Sequence, residues 1–569
     1  MIIGIDVGGT HTDGVLIKNG QVTKTGKVVT RRDDLKESIL EVLDELLVGQ
    51  DEKKIERIVF STTLTTNLIA QRKYPPTGLV LIPGPGMKPD WLKLGTINWL
   101  LKGSIDHRGR KVMDLEQNEL KSFLEELATS GIVDLAIVGK FSTRNPSLEE
   151  KLESFIREHL PEVDNVQLGS RVAPVLNFPR RVHTTWLNTA VYRENTIFLK
   201  EVQDAVHKRG INAQLYLLKA DGGTMLLQEG INFGVETIKS GPAASIMGFL
   251  ALSGTEKRTS LLLDVGGTTT DIALITGGVP LFEPEGVEIE GYLTSVRGLL
   301  NRSIPYGGDS RIIVDNGQIG LAPERVGPAV AFGGSVPTLT DALVVAGLVE
   351  KGDQKQARLA FAKLVEHIED SLEEAAQKII DHFYLKVKEA VEELLIELNN
   401  RPVYTIHELL TDTRLEPEVV MMIGGPAKAL LPGLADKLGL APILPDYYHV
   451  ANALGAAVAR PTLRQTLYAD TAQKFYRLSG IMGKQQITGR FTLKDARQIL
   501  LEHMKSMVKQ NGGLNIDDKL IEITHEESFN LVRGFSTQGQ ILRLKAQVKP
   551  GIDPALGELK FLMKGEIKQ

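Results

Sequence analysis

Asp-Val-Gly-Gly-Thr-x-Thr-Asp occurs twice in this chain, at Asp6 to Asp13 and at Asp264 to Asp271, 258 residues apart. Seven of the eight positions agree, and the eighth is His11 in one copy and Thr269 in the other. Paired glycines remove the Cβ atoms that would hold a phosphate away from backbone N–H groups, and threonine hydroxyls add donors beside them. A carboxylate at a strand end can hold magnesium through the ion's water shell. A lone Gly-Gly is an ordinary hairpin turn. A turn does not require a carboxylate at both ends, so the repeat points to two related half-domains gripping one polyphosphate.

Elements with recognisable patterns must position these residues. Each copy follows one apolar run (Ile2, Ile3, Ile5; Leu261, Leu262, Leu263) and precedes another (Val15, Leu16, Ile17; Ala273, Leu274, Ile275), which reads as strand, tight turn, strand. Leu35, Ile39, Leu40, Leu43, Leu46 and Leu47 give residues 33–48 one apolar helical face. Arg57 to Phe60 is a strand, and Ser61-Thr62-Thr63-Leu64-Thr65-Thr66-Asn67 opens a helix whose hydroxyls either cap it or line an anion or substrate site. A strand at Leu135 to Val138, a helix at Ser147 to His159 and a helix from Arg180-Arg181 through Leu199 follow. Leu215 to Lys219 is a strand, and Ser240-Gly241-Pro242-Ala243-Ala244 enters a helix. Residues 354–400 are helical with a solvated Glu/Lys face. Val419 to Ile423 reads as a buried strand running into Gly424-Gly425 and a helix over Leu430 to Leu438. Glycines at such a junction let a purine or ribose lie against backbone. Ala451 to Ala457 is a small-residue helix suited to close packing. Alternating helix and strand patterns mark an α/β protein.

The chain has 569 residues, 42% hydrophobic and 24% charged, enough for large cores and roughly three to four domains. A net charge of −5 with no long basic block argues against nucleic acid as a principal partner. The absence of cysteine excludes disulfides, thiolate metal sites and a cysteine nucleophile, and suits a cytoplasmic protein. Met1-Ile2-Ile3-Gly4 leads straight into the first strand, so no cleavable signal is expected. No apolar run approaches the roughly 20 residues that span a bilayer, so no membrane partner is expected.

Phosphate loop, second phosphate loop and adenosine loop, in this order, resemble the actin, Hsp70 and sugar-kinase superfamily. Within it the chain resembles the hydantoinase/oxoprolinase family, specifically its A-type, N-methylhydantoinase A-like subunit. The resemblance rests on Gly4 to Asp13, Ser61-Thr62-Thr63 with Thr66-Asn67, Ser240-Gly241-Pro242-Ala243-Ala244, Asp264 to Asp271, and Gly333-Gly334 with Pro337-Thr338-Leu339-Thr340-Asp341-Ala342, over about residues 1–460. It implies two related actin/Hsp70-like (ribonuclease H-like) ATPase domains around a nucleotide cleft, expected at 1–180 and 181–460, with a small α+β domain at 461–569. It also implies ATP and Mg2+ as cofactors and ATP-dependent opening of a cyclic amide or imide, of hydantoin or 5-oxoproline type, by phosphoryl activation of the carbonyl oxygen. On that reading Asp6 and Asp264 serve the magnesium shell. Gly8, Gly9, Thr10 and Thr12, with Gly266, Gly267, Thr268 and Thr270, hold the phosphates, and Gly424 and Gly425 contact the nucleoside. Asp13 and Asp271 orient the acceptor or a water, or else brace the loops.

One departure concerns Gly307-Gly308-Asp309-Ser310, where many A-type subunits carry Gly-Gly-Gly-Ser; Asp309 either alters the site or is an ordinary turn aspartate. A B-type hydantoinase subunit is the expected partner for the hydrolytic half, in a homo- or hetero-oligomer. Two other readings stay open: an ATP-dependent small-molecule kinase or carboxylase subunit, and an ATPase that reactivates a partner protein. The tail from Pro461 carries a helix over Leu493 to Val508 and strands at Leu520 to Thr524, Ser528 to Phe535 and Gln540 to Val548, read as a structural cap. The eleven histidines show no His-Glu-x-x-His spacing. His11 lies inside the first loop: either a phosphate there raises its pKa, or it is simple variation at a tolerated loop position.

Overall fold

A computed structural model describes residues 1–553 apart from Arg32, Thr96, residues 254–257, Asn316, residues 401–413, Gly480, Met482 and residues 511–516. The chain opens with β1 (Ile2–Val7), β2 (His11–Lys18), β3 (Gln21–Val29), α1 (Leu35–Leu47), β4 (Arg57–Thr62) and α2 (Leu64–Ala70). An inserted parallel sheet follows, built from β5 (Thr77–Ile82), β6 (Asn98–Leu100), β7 (Asp134–Gly139), α3 (Ser147–His159) and β8 (Asn165–Leu168). Helix α4 (Phe178–Lys208) leads to β9 (Gln214–Leu218) and β10 (Thr224–Leu226), which rejoin the first sheet in the order β10-β9-β4-β1-β2-β3.

The same plan then repeats. Helix α5 (Ser240–Ser253) precedes β11 (Ser260–Val265), β12 (Thr270–Thr276), β13 (Val279–Pro280) and β14 (Arg302–Ile304). Helices α6 (Leu339–Val345) and α7 (Leu372–Asn399) come next, followed by β15 (Val419–Ile423), α8 (Ala427–Leu438), β16 (Ala441–Ile443) and α9 (Ala451–Val458). The second sheet runs β13-β12-β11-β15-β16, with β14 paired to β12. In each half an antiparallel pair meets two parallel strands through its first strand, so β1, β2, β3, β4, β9 correspond to β11, β12, β13, β15, β16. This duplicated ribonuclease H-like sheet is the actin/Hsp70 architecture.

Apolar strands such as β1 and β11 need cover on both faces. Leu43, Leu46, Val202 and Val206 cover the outer face of the first sheet, and Leu339, Leu343, Ile379 and Phe383 that of the second. Between the sheets lie α5 and α9, in one core containing Val59 and Leu218 of the first sheet and Leu262, Met421 and Ile423 of the second. Their small residues allow backbones to touch: a Cβ on Gly4 would stand 2.1 Å from the Ala453 carbonyl oxygen, and one on Gly248 would stand 2.2 Å from that of Ala451. The alanine-rich stretch is thus a packing surface between the halves.

Residues 214–226 belong to the first sheet, and the boundary expected at 180 falls inside α4. Parallel pairing of β9 with β4 carries the chain back after the inserted sheet, a non-local return that local patterns do not reveal. The C-terminal sheet comprises β17 (Arg464–Asp470), β18 (Phe475–Leu478), β19 (Gln485–Gln486), β20 (Ile521–Arg533) and β21 (Ser536–Val548), ordered β19-β18-β17-β21-β20 and covered by α10 (Leu493–Gln510). Strands expected separately at 520–524 and 528–535 are one, because a bulge between Ile523 and His525 breaks the alternation without breaking the strand. Arg57 ties Asp553, beyond the C-terminal sheet, to the first sheet through a buried 2.7 Å ion pair. Among the described residues no helix is long and apolar enough to cross a membrane.

Candidate functional site

The repeated octapeptides form two hairpins of one geometry. Asp6 pairs with Asp13 and Val7 with Thr12 across β1 and β2, and Asp264 pairs with Asp271 and Val265 with Thr270 across β11 and β12. Gly8 N–H donates to the His11 carbonyl at 3.0 Å, and Gly266 N–H donates to the Thr269 carbonyl at 3.0 Å. Both turns are closed identically, and Gly9, Gly266 and Thr268 are exposed. The hairpins face one another closely: a Cβ on Gly267 would stand 3.1 Å from Thr10 Cγ2. Gly8, Thr10 and Gly267 are half-buried at this meeting point.

Thr12 and Thr270 depart from the expected phosphate-holding role. Both are fully buried; the Thr12 hydroxyl shares a 3.0 Å hydrogen bond with that of Thr30, and the Thr270 hydroxyl donates to the Tyr306 carbonyl at 2.7 Å. Alternation along a strand turns each side chain away from its neighbouring aspartate, so these threonines brace the hairpins.

The leading aspartates converge at the base of the cleft. Asn452 Nδ2 donates to Asp264 Oδ2 at 3.1 Å, the Ser245 hydroxyl donates to the same oxygen, and Asn452 also acts on Asp6. Burial pushes the Asp6 carboxyl up to about 7; Ser61 and Asn452 offset part of this, while Asp13 and Asp264 add to it. Asp264 is raised for the same first reason, burial, against the Ser245 and Asn452 hydrogen bonds. Acids held near one another away from water favour a bound cation or a shared proton. Among the described residues no three metal-ligating side chains gather.

The trailing aspartates differ. Asp13 Oδ1 accepts a 2.6 Å ion pair from Lys27 Nζ. Asp271 is pushed up to about 7 by burial and by the Asp264 charge, with Ser303, Lys239 and Asn301 offsetting part. Lys239 has left-handed backbone (φ 57°) at the start of α5, where its N–H donates to Thr66 Oγ1 at 3.1 Å and the Ser240 hydroxyl donates to the Thr62 carbonyl at 2.9 Å. The threonine-rich segment thus meets the Ser240-Gly241-Pro242 helix start beside Asp271.

At the third loop, Gly424 has φ 99°, and a Cβ there would stand 2.2 Å from the Val265 carbonyl oxygen. It lets β15 press on the second hairpin. Gly425 is exposed, with open space where a Cβ would project.

Two sequence profiles cover most of the chain. Residues 2–160 match the hydantoinase/oxoprolinase N-terminal region, and residues 181–465 match hydantoinase/oxoprolinase itself. The chain belongs to the hydantoinase/oxoprolinase family. Within it, the chain is 25% identical over 409 residues to the acetophenone carboxylase gamma subunit of Aromatoleum aromaticum, covering 63% of this chain and 55% of the relative. It is 23% identical over 388 residues to the caprolactamase subunit alpha of Pseudomonas jessenii, covering 62% and 55%. The match thus spans about half the length of these relatives. The fold is also that of nucleotide-free acetone carboxylase, with a TM-score of 0.72 at 17% identity over 97% of this chain and 88% of the other.

In this hydantoinase/oxoprolinase chain Asp309 stands at the second hairpin, where a Cβ on Gly267 would lie 2.7 Å from its Oδ2. Asp309 accepts a 2.8 Å ion pair from Arg325, and its N–H donates to the Gly267 carbonyl at 2.7 Å, pinning a loop onto the second hairpin. Asp341 is fully buried and accepts from the N–H groups of Val330, Ala331 and Thr338. Burial, Lys27 and Arg325 lower the His11 pKa to about 4, so its ring is neutral around pH 7. Asn452, Ser245, Lys27 and Lys239 were not anticipated as site residues. The only signal for Asn452 was a polar residue in an otherwise small apolar helix.

Proposed function

We propose that this chain is the ATP-using subunit of a multi-subunit enzyme that activates a carbonyl oxygen by phosphoryl transfer, with a cyclic amide or imide as substrate. The observation carrying this reading is the meeting of two hairpins of one geometry above Asp6 and Asp264, joined through Asn452. Similarity to a caprolactamase subunit favours the amide. The fold shared with an enzyme of ATP-dependent acetone carboxylation favours ATP.

When bound, ATP and magnesium supply the transferable phosphoryl group and neutralise its charge. The backbone of Gly8, Gly9, Gly266 and Gly267, with the hydroxyls of Thr10 and Thr268, lines the phosphates. Asp6 and Asp264 take the ion's water shell, and Gly425 faces the nucleoside. Lys239, beside the start of α5, meets the electron-rich carbonyl oxygen and orients it. Asp271 is the proton acceptor: a carboxyl pushed up to about 7 is matched to neutral pH, and it deprotonates the water that attacks the activated ring. Asp13, already paired with Lys27, braces its hairpin.

A second reading rests on the two carboxylase relatives: the same carbonyl oxygen belongs to a ketone, and Asp271 removes a proton from the adjacent carbon to give the enolate. Phosphate release from magnesium-ATP, measured against lactams, hydantoins and aryl ketones with bicarbonate, separates the two. The full chain is assayed with and without a B-type subunit. Stimulation by a cyclic amide, reduced about 10²–10³-fold in Asp6→Asn and Asp264→Asn, is expected. Stimulation by ketone and bicarbonate alone replaces the amide with the carboxylase reading. ATP binding indifferent to both substitutions rejects the cleft itself.

A further inference from the structure

The inserted parallel sheet ends in a second polar site, against the C-terminal sheet and separate from the hairpins. After β7, a left-handed turn at Phe141 (φ 60°) brings Ser142 and Arg144 to the wall of a cavity of about 200 Å³. Ser170, just after β8, lines it from the same sheet, and Tyr468, Arg477 and Arg543 line it from β17, β18 and β21. Ligands of parallel sheets gather at the carboxyl ends of the strands, where loops diverge and leave a crevice. No residue of either hairpin lines this cavity.

Three observations make it a built site. Ser142 is 2% exposed, yet its hydroxyl has no hydrogen-bond partner among the described residues; the same holds for the Ser170 and Tyr468 hydroxyls and for Arg477 Nε. Buried polar groups are ordinarily satisfied, so this concentration around one cavity is unusual. Next, Arg144 and Arg477 make no ion pair among the described residues, and Arg543 reaches Glu527 only at 3.9 Å. These cations act on one another: burial lowers the Arg543 pKa, the Glu527 charge offsets part of this, and the Arg144 charge adds a smaller lowering. Among the described residues Glu150 is the one carboxylate lining the cavity; the adjoining cavity of about 220 Å³, which shares Arg144, Tyr468 and Arg477, adds Arg108 and Lys484, and also Arg110 and Lys111, which are already paired with Asp106 and Asp114. Last, the walls are fixed. Glu149, fully buried, accepts from Gly139 N–H at 2.7 Å and from Ser170 N–H at 2.9 Å, clamping both strand ends.

Water in a cavity of this size would satisfy the hydroxyls but would not neutralise converging guanidiniums. We propose that this cavity binds a small molecule carrying phosphate or carboxylate groups, held by Arg144, Arg477 and Arg543 with the Ser142, Ser170 and Tyr468 hydroxyls. Guanidinium forks match either oxyanion, and the paired cavities suit a ligand with two such groups. Because its walls come from the inserted and C-terminal sheets, the ligand also clamps the two together.

The test is calorimetric titration of the full chain with pyrophosphate, malonate and inorganic phosphate. Wild type, Arg477→Gln and the cleft variant Asp6→Asn are compared, and melting temperature is followed in parallel. Pyrophosphate or malonate should bind saturably and raise the melting temperature in wild type and Asp6→Asn. In Arg477→Gln the affinity should fall at least about tenfold, while the anion-free melting temperature changes little, because the lost hydrogen bond to the Arg144 carbonyl at 3.2 Å is offset by removing a cation that faces other cations. Which of the two probes binds assigns phosphate or carboxylate chemistry. Binding lost in Asp6→Asn but intact in Arg477→Gln places the anion in the cleft and overturns the proposal. So does an anion-free melting temperature that falls in Arg477→Gln with anion binding intact, which makes the arginine structural.

Discussion

The strand end after β4 and the strand end after β15 occupy the same place in two copies of one sheet, yet they present opposite surfaces. Register makes the equivalence explicit: Asp6 lies opposite Ser61 and Val7 opposite Thr62, while Asp264 lies opposite Ile423, which sets Gly424 against Val265. One half therefore follows its carboxylate with Ser61-Thr62-Thr63, a hydroxyl-rich helix start facing Lys239 and Ser240. The other follows it with Ile423-Gly424-Gly425, a bare backbone. Duplication supplied two hairpins, and divergence beside them left hydroxyls in one half and bare backbone in the other; on the proposed reading these sides face the reacting group and the nucleoside. The hairpins diverged too: burial raises both trailing aspartates, but Asp13 has Lys27 as a direct ion-pair partner offsetting part of the rise, while Asp271 is pushed up to about 7 with Ser303, Lys239 and Asn301 offsetting part.

The largest expected effect tests that last asymmetry. Asp271→Asn should lower the substrate-stimulated rate of phosphate release by about 10²–10⁴-fold with ATP affinity retained, the range for removing a general base. Asp13→Asn should lower it by less than about tenfold and reduce thermal stability, because Lys27 loses its partner. Equal losses in the two variants, measured by turnover and by nucleotide titration, would mean that the hairpins are functionally symmetric.

A smaller effect separates the two glycines of the third loop. Gly424→Ala combines a left-handed backbone with a contact on the Val265 carbonyl, and should cost about 1–3 kcal/mol from backbone strain alone. Gly425→Ala meets no atom within 4 Å and should stay within about 0.5 kcal/mol of wild type in denaturant unfolding. Its loss should appear in nucleotide affinity instead. If Gly425→Ala binds nucleotide normally, the flat side does not face the nucleoside.

Both hairpins, the Gly424 turn and most helices were legible because their determinants are contiguous: a strand, its turn and its partner strand lie within residues 2–18 in one half and 260–276 in the other. The bridging asparagine was not legible, because Asn452 and Asp264 stand 188 positions apart and meet only through the α5–α9 packing between the sheets. Thr12 and Thr270 show the converse limit. Their identity suggested phosphate contact, and only the strand alternation, realised against Thr30 and Tyr306, shows their hydroxyls used inside. The inserted sheet escaped notice as a separate layer because four short parallel strands look locally like those of the main sheet.

A last effect, spread over several pH units, asks whether the cleft stores charge before any ligand arrives. Burial raises Asp6 and Asp271 to about 7, against about 3.9 for an aspartate in an unfolded chain. Below about pH 4 both states hold the proton. Between about 4 and 7 the folded chain keeps protons that the unfolded chain has released, so stability is greatest at the acid end of this window and declines as pH rises through it. For Asp6, 5% exposed, the decline approaches about 1.4 kcal/mol per pH unit and levels off above 7. Asp6→Asn cannot ionise and should lose this part of the slope, so its stability relative to wild type grows from pH 5 to pH 8 in ligand-free urea unfolding. Magnesium-nucleotide binding should show the opposite trend in wild type, strengthening up to about pH 7 as the carboxyls give up their protons to receive the ion. Parallel stability profiles for wild type and Asp6→Asn would show that Asp6 is already ionised at pH 5, with Asn452 and Ser61 sufficing to hold its charge. Testing Asp271→Asn alongside asks the same of the second hairpin: a larger recovered slope there than in Asp13→Asn would trace the difference to the lysine that only the first hairpin has at contact distance.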